Sequence, residues 1–331
     1  MHELARRQFD RLERDHWWFR GRRAVYLGLL RHLLGGARPA RALDLGAGRG
    51  AFASELRELC GSVVALDLDA QALATCRAAG CASAVLADSG RLPFVDHSFD
   101  LVCLFDVLEH LDDDGGALRE VRRVLRPGGL CFASVPAWPW LFSGNDRLAH
   151  HKRRYTRGAL ARCARGAGLE IVRNTHTNVF LFPLIASAVL ARKAWEALRG
   201  ARASPWTNLS WSLPRGVGEV CFRVFAAELA VVRWVDLPMG HSIAVAARCT
   251  EREQWRCDGA RNAIPGATTA VSARPSTREG LLAPSGEELP PGPDHPPAGR
   301  PLAVEPQQGA QAPYGSNSAE RESLCAQNPA A

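Results

Sequence analysis

The feature that most constrains the fold is an apolar run that ends directly in a glycine-rich turn. Residues 42–50 read ALDLGAGRG, and a helix-like stretch begins at Ala51. Glycine allows the backbone to turn tightly, and it lets a ligand approach main-chain atoms without meeting a Cβ atom. A strand, a glycine turn and a helix in this order predict a nucleotide-type cofactor site, although the turn alone does not say which cofactor binds.

Two classes of cofactor compete for this turn. Gly46, Gly48 and Ala51 fit the G-x-G-x-x-A pattern of a dinucleotide site, and Asp67 follows Gly46 by 21 residues, near the spacing of a ribose-binding acid. Asp44 argues the other way, because a buried carboxylate before the first glycine repels a pyrophosphate but suits a ligand with an amino group and a sulfonium. Gly50 adds a third point of close approach. The residues therefore favour S-adenosylmethionine over NAD.

Alternating strand-like and helix-like segments predict an α/β fold with a largely parallel sheet. The predicted strands are Arg41–Leu45, Ser62–Leu66, Ala84–Ala87, Leu101–Leu104, Gly129–Ser134, Glu170–Thr175 and Ser242–Arg248. The predicted helices between them are Ala51–Cys60, Ala70–Gly80, Gly115–Leu125 and Thr156–Gly166. The RPGG run at residues 126–129 predicts a sharp stop after the third of these helices.

The chain divides into three regions by composition. The first, residues 1–40, is predicted to be a helical lid or entry segment, and the second, residues 41–249, is predicted to form the α/β domain. The third, residues 250–331, holds 12 of the 21 prolines and is predicted to be a disordered tail. Within the domain, about residues 178–235 add two apolar helices, Val179–Leu198 and Val217–Val235. The first has too short an apolar stretch to span a bilayer, which takes roughly 20 residues. Packing on the sheet and contact with a membrane surface are both open readings of it.

Charge and cysteine usage limit the class of protein. The net charge is +7, but the excess forms no single block, so a solvated arginine-rich surface explains it as well as a polyanion site does. The ten cysteines form no C-x-x-C pair and no zinc spacing, and the charged first residues lack the apolar core of a signal peptide. These features predict a reduced, cytoplasmic protein. Its oligomeric state is left open.

Several further motifs follow the glycine turn in a fixed order, and together they resemble a known family. They are LDLD at residues 66–69, ADSGRLPF at 87–94, SFDLV at 98–102, DVLEHL at 106–111 and VLRPGG at 124–129. This succession over about residues 41–135 is similar to the type 11 group of class I S-adenosylmethionine-dependent methyltransferases. The resemblance implies a Rossmann-like sheet with flanking helices and S-adenosyl-L-methionine as the cofactor.

The resemblance also implies a role for each acidic residue at the cofactor. Asp44 and the glycines are expected to hold the methionine end, Asp88 with Ser89 the adenine amino group, and Asp106 the methyl-donor end. Asp67 is expected to hold the ribose, because one carboxylate can accept hydrogen bonds from both ribose hydroxyls. The alternative for Asp67 is the N-cap of the helix that follows.

The aromatic run HWWFRGRR at residues 16–23 precedes the first strand. Three adjacent aromatic side chains cannot share one helix face, so some of them are expected to close over something other than the main core. One interpretation is a lid in which Arg20 or Arg23 meets a carboxylate or phosphate of the ligand. The other is ordinary packing of a terminal helix on the sheet.

A basic segment, NDRLAHHKRRYT at residues 145–156, follows the fifth strand. It resembles an H-x-R-R-Y element on the connection where class I methyltransferases build substrate contacts. His151, Arg154 and Tyr155 are therefore the candidate catalytic residues for an anionic or hydroxylated small-molecule acceptor, with His151 as a candidate general base. The alternative is a basic loop in which Tyr155 anchors the next helix and Thr156 caps it.

These observations predict transfer of a methyl group to an oxygen, nitrogen or carbon nucleophile of a small metabolite or of a lipid or glycan precursor. An NAD(P)-dependent oxidoreductase and a non-catalytic cofactor-sensing module are the alternatives. Nucleic acid is not expected as a partner, since no aromatic and basic platform is present. Asp106, Glu109 and His110 lie at i, i+3 and i+4 and can share a helix face, where they could together bind a divalent cation. Such a run of residues is also common where no metal binds, and no metal is expected.

Overall fold

The computed structural model describes residues 12–13, 15–81, 83–199 and 214–250. Within them, seven strands form one sheet in the order β3-β2-β1-β4-β5-β7-β6. The strands are β1 (Arg41–Leu45), β2 (Ser62–Asp67), β3 (Ser83–Leu86), β4 (Phe99–Phe105), β5 (Leu125–Pro136), β6 (Leu169–Thr177) and β7 (Ser242–Cys249). All seven predicted strands are present, with ends shifted by a few residues.

The helices alternate with the strands as predicted, and shorter helices add to them. They are α1 (Trp17–Leu34), α2 (Ala51–Leu59), α3 (Ala70–Ala78), α4 (Asp114–Val124), α5 (Gly144–Leu148), α6 (Arg157–Gly166), α7 (Phe182–Arg199), α8 (Arg215–Ala227) and α9 (Leu229–Val232). Single turns of 3₁₀ helix lie at Leu108–His110 and Pro139–Leu141. The predicted helix Val217–Val235 is divided at Glu228 into α8 and α9.

The order of the strands fixes where a ligand can bind. The strands β1 to β5 pair in parallel, whereas β7 is antiparallel to both β5 and β6. The chain runs outward from β1 to β3 and then returns to β4 on the other side of β1. In sheets of this kind, ligands bind outside the carboxyl ends of the strands, at the point where the strand order reverses. The sheet is therefore Rossmann-like, and its switch point lies between β1 and β4.

Side chains in the central strands alternate between two buried clusters. Leu43 and Leu45 of β1 belong to one cluster, whereas Ala42 belongs to the other. Because successive side chains of a strand point to opposite faces, Asp44 lies on the same face as Ala42. This face is covered by α1 and α2, so the carboxylate enters an apolar layer.

The stop predicted at residues 126–129 is present, but it lies inside β5. The helix α4 ends at Val124, and Leu125 already pairs with Phe99 of β4. The register then shifts before Leu130 pairs with Leu101, and Gly128 in the shifted segment has a φ of 78°. The segment is thus an irregularity of the strand, which glycine permits because it adopts positive φ without a steric penalty.

The aromatic helix α1 packs closely on the later helices. A Cβ atom at Gly21 would lie 2.3 Å from Cδ1 of Phe225, and one at Gly28 would lie 2.2 Å from Cδ2 of Leu229. Trp18 also contacts Phe225, with 5.8 Å between the ring centroids. These contacts agree with the packing interpretation of α1, and a lid role for residues 1–40 stays a prediction.

Two other expectations concern the later part of the chain. Residues 251–331, which hold nearly all of the predicted proline-rich tail, lie outside the described residues. Among the residues that are described, no helix combines the length and the hydropathy needed to cross a membrane.

Candidate active site

The glycine turn is fastened to the end of β2. The amides of Gly46 and Ala47 both donate to the carbonyl of Leu66, at 2.7 and 3.0 Å. Gly46 has a φ of 74°, and a Cβ atom there would lie 2.5 Å from Cγ2 of Val107. Gly48 also has a positive φ, of 53°, but a Cβ atom there would meet nothing within 4 Å. The turn therefore needs glycine at Gly46 for packing, whereas Gly48 faces open space.

Asp67 holds the same turn from the other side. Its Oδ2 accepts from the amide of Gly48 at 2.8 Å, and its Oδ1 accepts from the amide of Asp69 at 2.9 Å. The N-cap of α3 is Asp69, whose carboxylate accepts from Gln71 and Ala72. The capping alternative for Asp67 is thus wrong. Each Asp67 oxygen keeps a lone pair for a further donor, which is what a ribose diol requires.

Asp44 is buried beside this turn, with 1% of its surface exposed. Burial, followed by the nearby carboxylates of Asp67 and Glu13, raises the pKa of Asp44 to about 7, and a hydrogen bond from the Ala53 amide opposes the shift. Its Oδ2 has no hydrogen-bond partner among the described residues. A buried carboxylate with an unused acceptor favours a cationic ligand, so the predicted contact with an amino group stays a prediction that this geometry supports.

Asp88 and Ser89, which are predicted to contact adenine, lie at the same edge of the sheet. The amide of Ala87 donates to the carbonyl of Asp67 at 3.2 Å, which brings the residues after β3 next to the end of β2. Asp88 is exposed, and its Oδ1 accepts from the amide of Gly90 at 2.7 Å. Ser89 is 6% exposed. Asp44, Asp67 and Asp88 therefore lie near the carboxyl ends of three neighbouring strands, β1, β2 and β3, in the order that the sequence predicts.

Asp106 follows β4 in a strained conformation and carries an ion pair. Its φ is 56°, a left-handed value that non-glycine residues rarely adopt. Its Oδ1 accepts from the hydroxyl of Ser134 at 2.7 Å, and its Oδ2 lies 2.6 Å from Nη2 of Arg22. The guanidinium of Arg22 is almost fully buried. This pair joins α1 to the carboxyl end of β4, and strained residues held in this way are frequent at functional sites.

Arg22, which pairs with Asp106, was not singled out from the sequence. The two arginines named in the lid interpretation pair with carboxylates of the protein itself, Arg20 with Glu219 at 3.0 Å and Arg23 with Glu55 at 2.8 Å, and their contact with a ligand stays a prediction. The overlooked signal is helical spacing: Arg22 stands three residues after Phe19 and four before Tyr26, and all three are buried.

The basic segment is organised by Asp146, which the sequence analysis did not single out. Asp146 is 1% exposed, and in the first turn of α5 it forms a capping box with Ser143, the N-cap residue. Its Oδ1 lies 2.9 Å from Nδ1 of His151 and 2.8 Å from Nε of Arg154. Burial raises the pKa of Asp146, but the hydrogen bonds from His151 and Arg154 outweigh burial and hold it well below its usual value. Two of the three candidate catalytic residues are thus oriented by one ionised carboxylate.

Tyr155, the third candidate, points elsewhere. It is 4% exposed, and its hydroxyl donates to Oδ2 of Asp114 at 2.6 Å and lies 3.2 Å from the carbonyl oxygen of Leu108. Burial and the Asp114 carboxylate raise the pKa of this phenol far above its usual value. Thr156 caps α6 by accepting from the Ala159 amide. The structure favours the anchoring interpretation of Tyr155 and does not bring its hydroxyl to His151 and Arg154.

The predicted shared face of Asp106, Glu109 and His110 does not form. Only Leu108–His110 are helical, in a single 3₁₀ turn. Glu109 and His110 instead lie with His151, and the rings of the two histidines are 4.8 Å apart between centroids. Burial, followed by Asp106, raises the pKa of Glu109 well above its usual value. Burial and His151 lower the pKa of His110 to about 4.

Comparison with known proteins agrees with the class of protein that the Rossmann-like sheet and the glycine turn indicate, an S-adenosylmethionine-dependent methyltransferase. The family model described as a methyltransferase domain matches residues 43–133. The chain is 31% identical over 201 residues to a demethylmenaquinone methyltransferase of Mycolicibacterium paratuberculosis, covering 57% of this chain and 80% of the relative. It is 30% identical over 205 residues to a malonyl-[acyl-carrier protein] O-methyltransferase of Enterobacter lignolyticus, covering 57% of this chain and 82% of the relative. The chain belongs to the class I S-adenosylmethionine-dependent methyltransferases, type 11 group.

A third relative is matched over a smaller part of its length. It is a Mycolicibacterium smegmatis protein named "probable S-adenosylmethionine-dependent methyltransferase", 31% identical over 163 residues. The alignment covers 48% of this chain and 62% of that relative, which is less than two thirds of its length.

Proposed function

We propose that the protein transfers a methyl group from S-adenosylmethionine to a nucleophilic oxygen, nitrogen or carbon of a small molecule. The observation that carries the proposal is the junction of the glycine turn with Asp67, whose carboxylate holds the Gly48 amide at 2.8 Å. Two features fit this cofactor in particular. The unused oxygen of buried Asp44 suits its ammonium group, and the open space at Gly48 admits a ligand against the backbone.

The cofactor supplies a methyl group on a positively charged sulfur, and the chain's own residues align the reaction and exclude water. Asp67 orients the ribose, and the ion pair between Arg22 and Asp106 holds α1 against the end of β4. On the acceptor side, Asp146 fixes the ring of His151 through Nδ1, which leaves Nε2 as the nitrogen that takes the proton of a hydroxyl acceptor. Arg154, held by the same carboxylate, offers positive charge to an anionic acceptor.

The acceptor is proposed to combine a hydroxyl or acidic group with an apolar part. One relative is named an O-methyltransferase and another acts on demethylmenaquinone, which supports oxygen or a quinone-type ring as the acceptor. Exposed apolar side chains around α7 support an apolar portion: Phe180 is 51% exposed, Leu184 69% and Trp195 55%. A lipid or glycan precursor therefore fits, and contact with a membrane surface stays a prediction.

Radiolabelled methyl transfer tests the proposal. The full chain is incubated with methyl-labelled S-adenosylmethionine and a panel that includes demethylated quinones and malonyl thioesters, and labelled product is measured together with S-adenosylhomocysteine. Asp67→Asn is expected to lose most turnover. Asp69→Asn is the matched control, because asparagine caps a helix as well as aspartate does. Equal activity of the two variants, or labelled product without S-adenosylhomocysteine, would contradict the proposal.

A further inference from the structure

Three side chains near the acceptor side form a group that the proposed methyl transfer does not explain. Glu109, His110 and His151 each offer a donor atom, and these atoms lie within 4.8 Å of one another. Glu109 and His110 come from the 3₁₀ turn after β4, whereas His151 comes from the segment after α5. The amide of Lys152 donates to the carbonyl of Glu109 at 2.7 Å, so the backbone fastens the two segments together.

Glu109 provides the strongest evidence that this group binds a ligand. Its side chain is 0% exposed, and neither of its carboxylate oxygens has a hydrogen-bond partner among the described residues. Buried carboxylates in folded proteins are normally paired, hydrogen bonded or bound to a metal ion. The two unused oxygens therefore call for a cation or a donor that the side chains around them do not supply.

His151 is oriented in the way that metal-binding histidines are. Its Nδ1 lies 2.9 Å from Oδ1 of Asp146. Histidine ligands usually donate their second ring nitrogen to a carboxylate or a backbone carbonyl, which fixes the tautomer and directs the first nitrogen at the metal. The ring of His151 thus has one nitrogen held by the protein and one available to a metal, and the ring of His110 lies beside it at 4.8 Å between centroids.

We propose that Glu109, His110 and His151 form a binding site for a divalent transition-metal ion. Two imidazoles and one carboxylate suit Zn²⁺, Co²⁺, Mn²⁺ or Fe²⁺, and three protein ligands leave coordination positions open. With metal–ligand bonds of about 2.1 Å, two ligand atoms on one ion are at most about 4.2 Å apart. The present spacing of up to 4.8 Å is slightly wider, and small rotations of the two half-buried histidine side chains would close it.

The charges around the site are compatible with a cation. Arg22 and Arg154 are the nearby positive groups that act on Glu109. Arg22 is paired with Asp106 at 2.6 Å and Arg154 with Asp146 at 2.8 Å. Each guanidinium is therefore matched by a carboxylate of its own, and the carboxylate of Glu109 remains for the metal.

Metal binding itself does not depend on the proposed function, but one consequence does. A His151 that ligates the metal through Nε2 cannot also take the proton of the acceptor, so in the metal-bound protein the ion would replace the base role given to Nε2 above. An acceptor hydroxyl bound at an open position of the metal would instead ionise more readily, because a divalent ion lowers the pKa of bound oxygen. The oxygen would then attack the methyl carbon, the carbon–sulfur bond would break to leave a neutral thioether, and the hydroxyl proton would pass to solvent.

Cobalt spectroscopy tests the site without any methyl acceptor. The full chain is stripped with a chelator and titrated with Co²⁺, whose visible d–d bands report coordination. We expect one ion per chain and no sulfur-to-cobalt charge-transfer band, which separates this site from the cysteines. Glu109→Gln and His151→Ala are expected to abolish the bands, whereas His32→Gln, a matched change at an exposed histidine of α1, retains them.

X-ray absorption of the zinc-loaded wild-type chain gives a test that needs no variant. Two imidazole nitrogens and oxygen in the first shell, without sulfur, are the expected result. The proposal is overturned if the chain takes up no stoichiometric metal, if sulfur dominates the first shell, or if folded Glu109→Gln and His151→Ala keep the cobalt spectrum of the wild type. A full-length chain that binds the metal but transfers no methyl group to any acceptor tested would count against the proposed function and not against the metal site.

Discussion

Two glycines of the same turn allow packing and cofactor binding to be separated. Alanine at either position must adopt a left-handed conformation, which costs about 1–2 kcal/mol. Gly46→Ala also drives a Cβ atom to 2.5 Å from Val107, whereas Gly48→Ala meets nothing within 4 Å. Overpacking of this kind costs about 1–3 kcal/mol more. We expect the free energy of unfolding to fall by about 2–5 kcal/mol in Gly46→Ala but only by about 1–2 kcal/mol in Gly48→Ala.

Affinity for the cofactor, in contrast, should respond to the change at Gly48. If the open space at Gly48 receives S-adenosylmethionine, a methyl group there obstructs the ligand by about 1–3 kcal/mol, or about 5- to 150-fold in Kd. Urea unfolding measures the first effect, and calorimetric titration of the folded variants measures the second. Wild-type affinity in Gly48→Ala, or equal stability of the two variants, would refute this reasoning.

Three further outcomes follow from the buried charges. Because the pKa of Asp44 is about 7 and a cationic ligand favours its ionised form, affinity for S-adenosylmethionine should rise about 15-fold from pH 5.5 to pH 7, and calorimetry should find this rise absent in Asp44→Asn. Tyr155→Phe should lower the free energy of unfolding by about 1–3 kcal/mol in urea, through the lost bond to Asp114, without changing cofactor affinity; a weaker affinity would contradict its anchoring role. Asp106→Asn should lower the free energy of unfolding in urea by about 3–5 kcal/mol, because it leaves the charge of Arg22 buried without its partner carboxylate. Adding Arg22→Met should recover part of that loss. A double variant no more stable than Asp106→Asn would contradict the ion-pair account.

The sheet was predictable because its signals are local. Apolar runs, the glycine turn and the acids near the ends of successive strands each occupy a few adjacent residues. Their order along the chain therefore predicts their order at one edge of the sheet. The antiparallel insertion of β7 between β5 and β6 was not predicted, because it depends on pairing between segments more than 60 residues apart.

The site was only partly predictable, for a related reason. Asp67 and Asp44 stand in recognisable motifs. Asp146 contacts residues no more than eight positions away, and Ser143 and Asp146 have the S-x-x-D spacing of a capping box, but the stretch was interpreted as a basic loop. The role of Arg22, in contrast, appears only when α1 meets the end of β4, far along the chain. His151 likewise joins Glu109 and His110 from 41 residues away along the chain, a proximity that no local spacing encodes.

Cofactor binding tests the central claim most directly. The purified full chain is titrated calorimetrically with S-adenosylmethionine and, separately, with NADH, and both titrations are repeated on Asp67→Ala. Saturable binding of S-adenosylmethionine that weakens by about 100-fold or more in the variant is the expected result, since two charge-assisted hydrogen bonds contribute about 1.5–3 kcal/mol each. Binding of NADH alone, or wild-type affinity for S-adenosylmethionine in Asp67→Ala, would contradict the account.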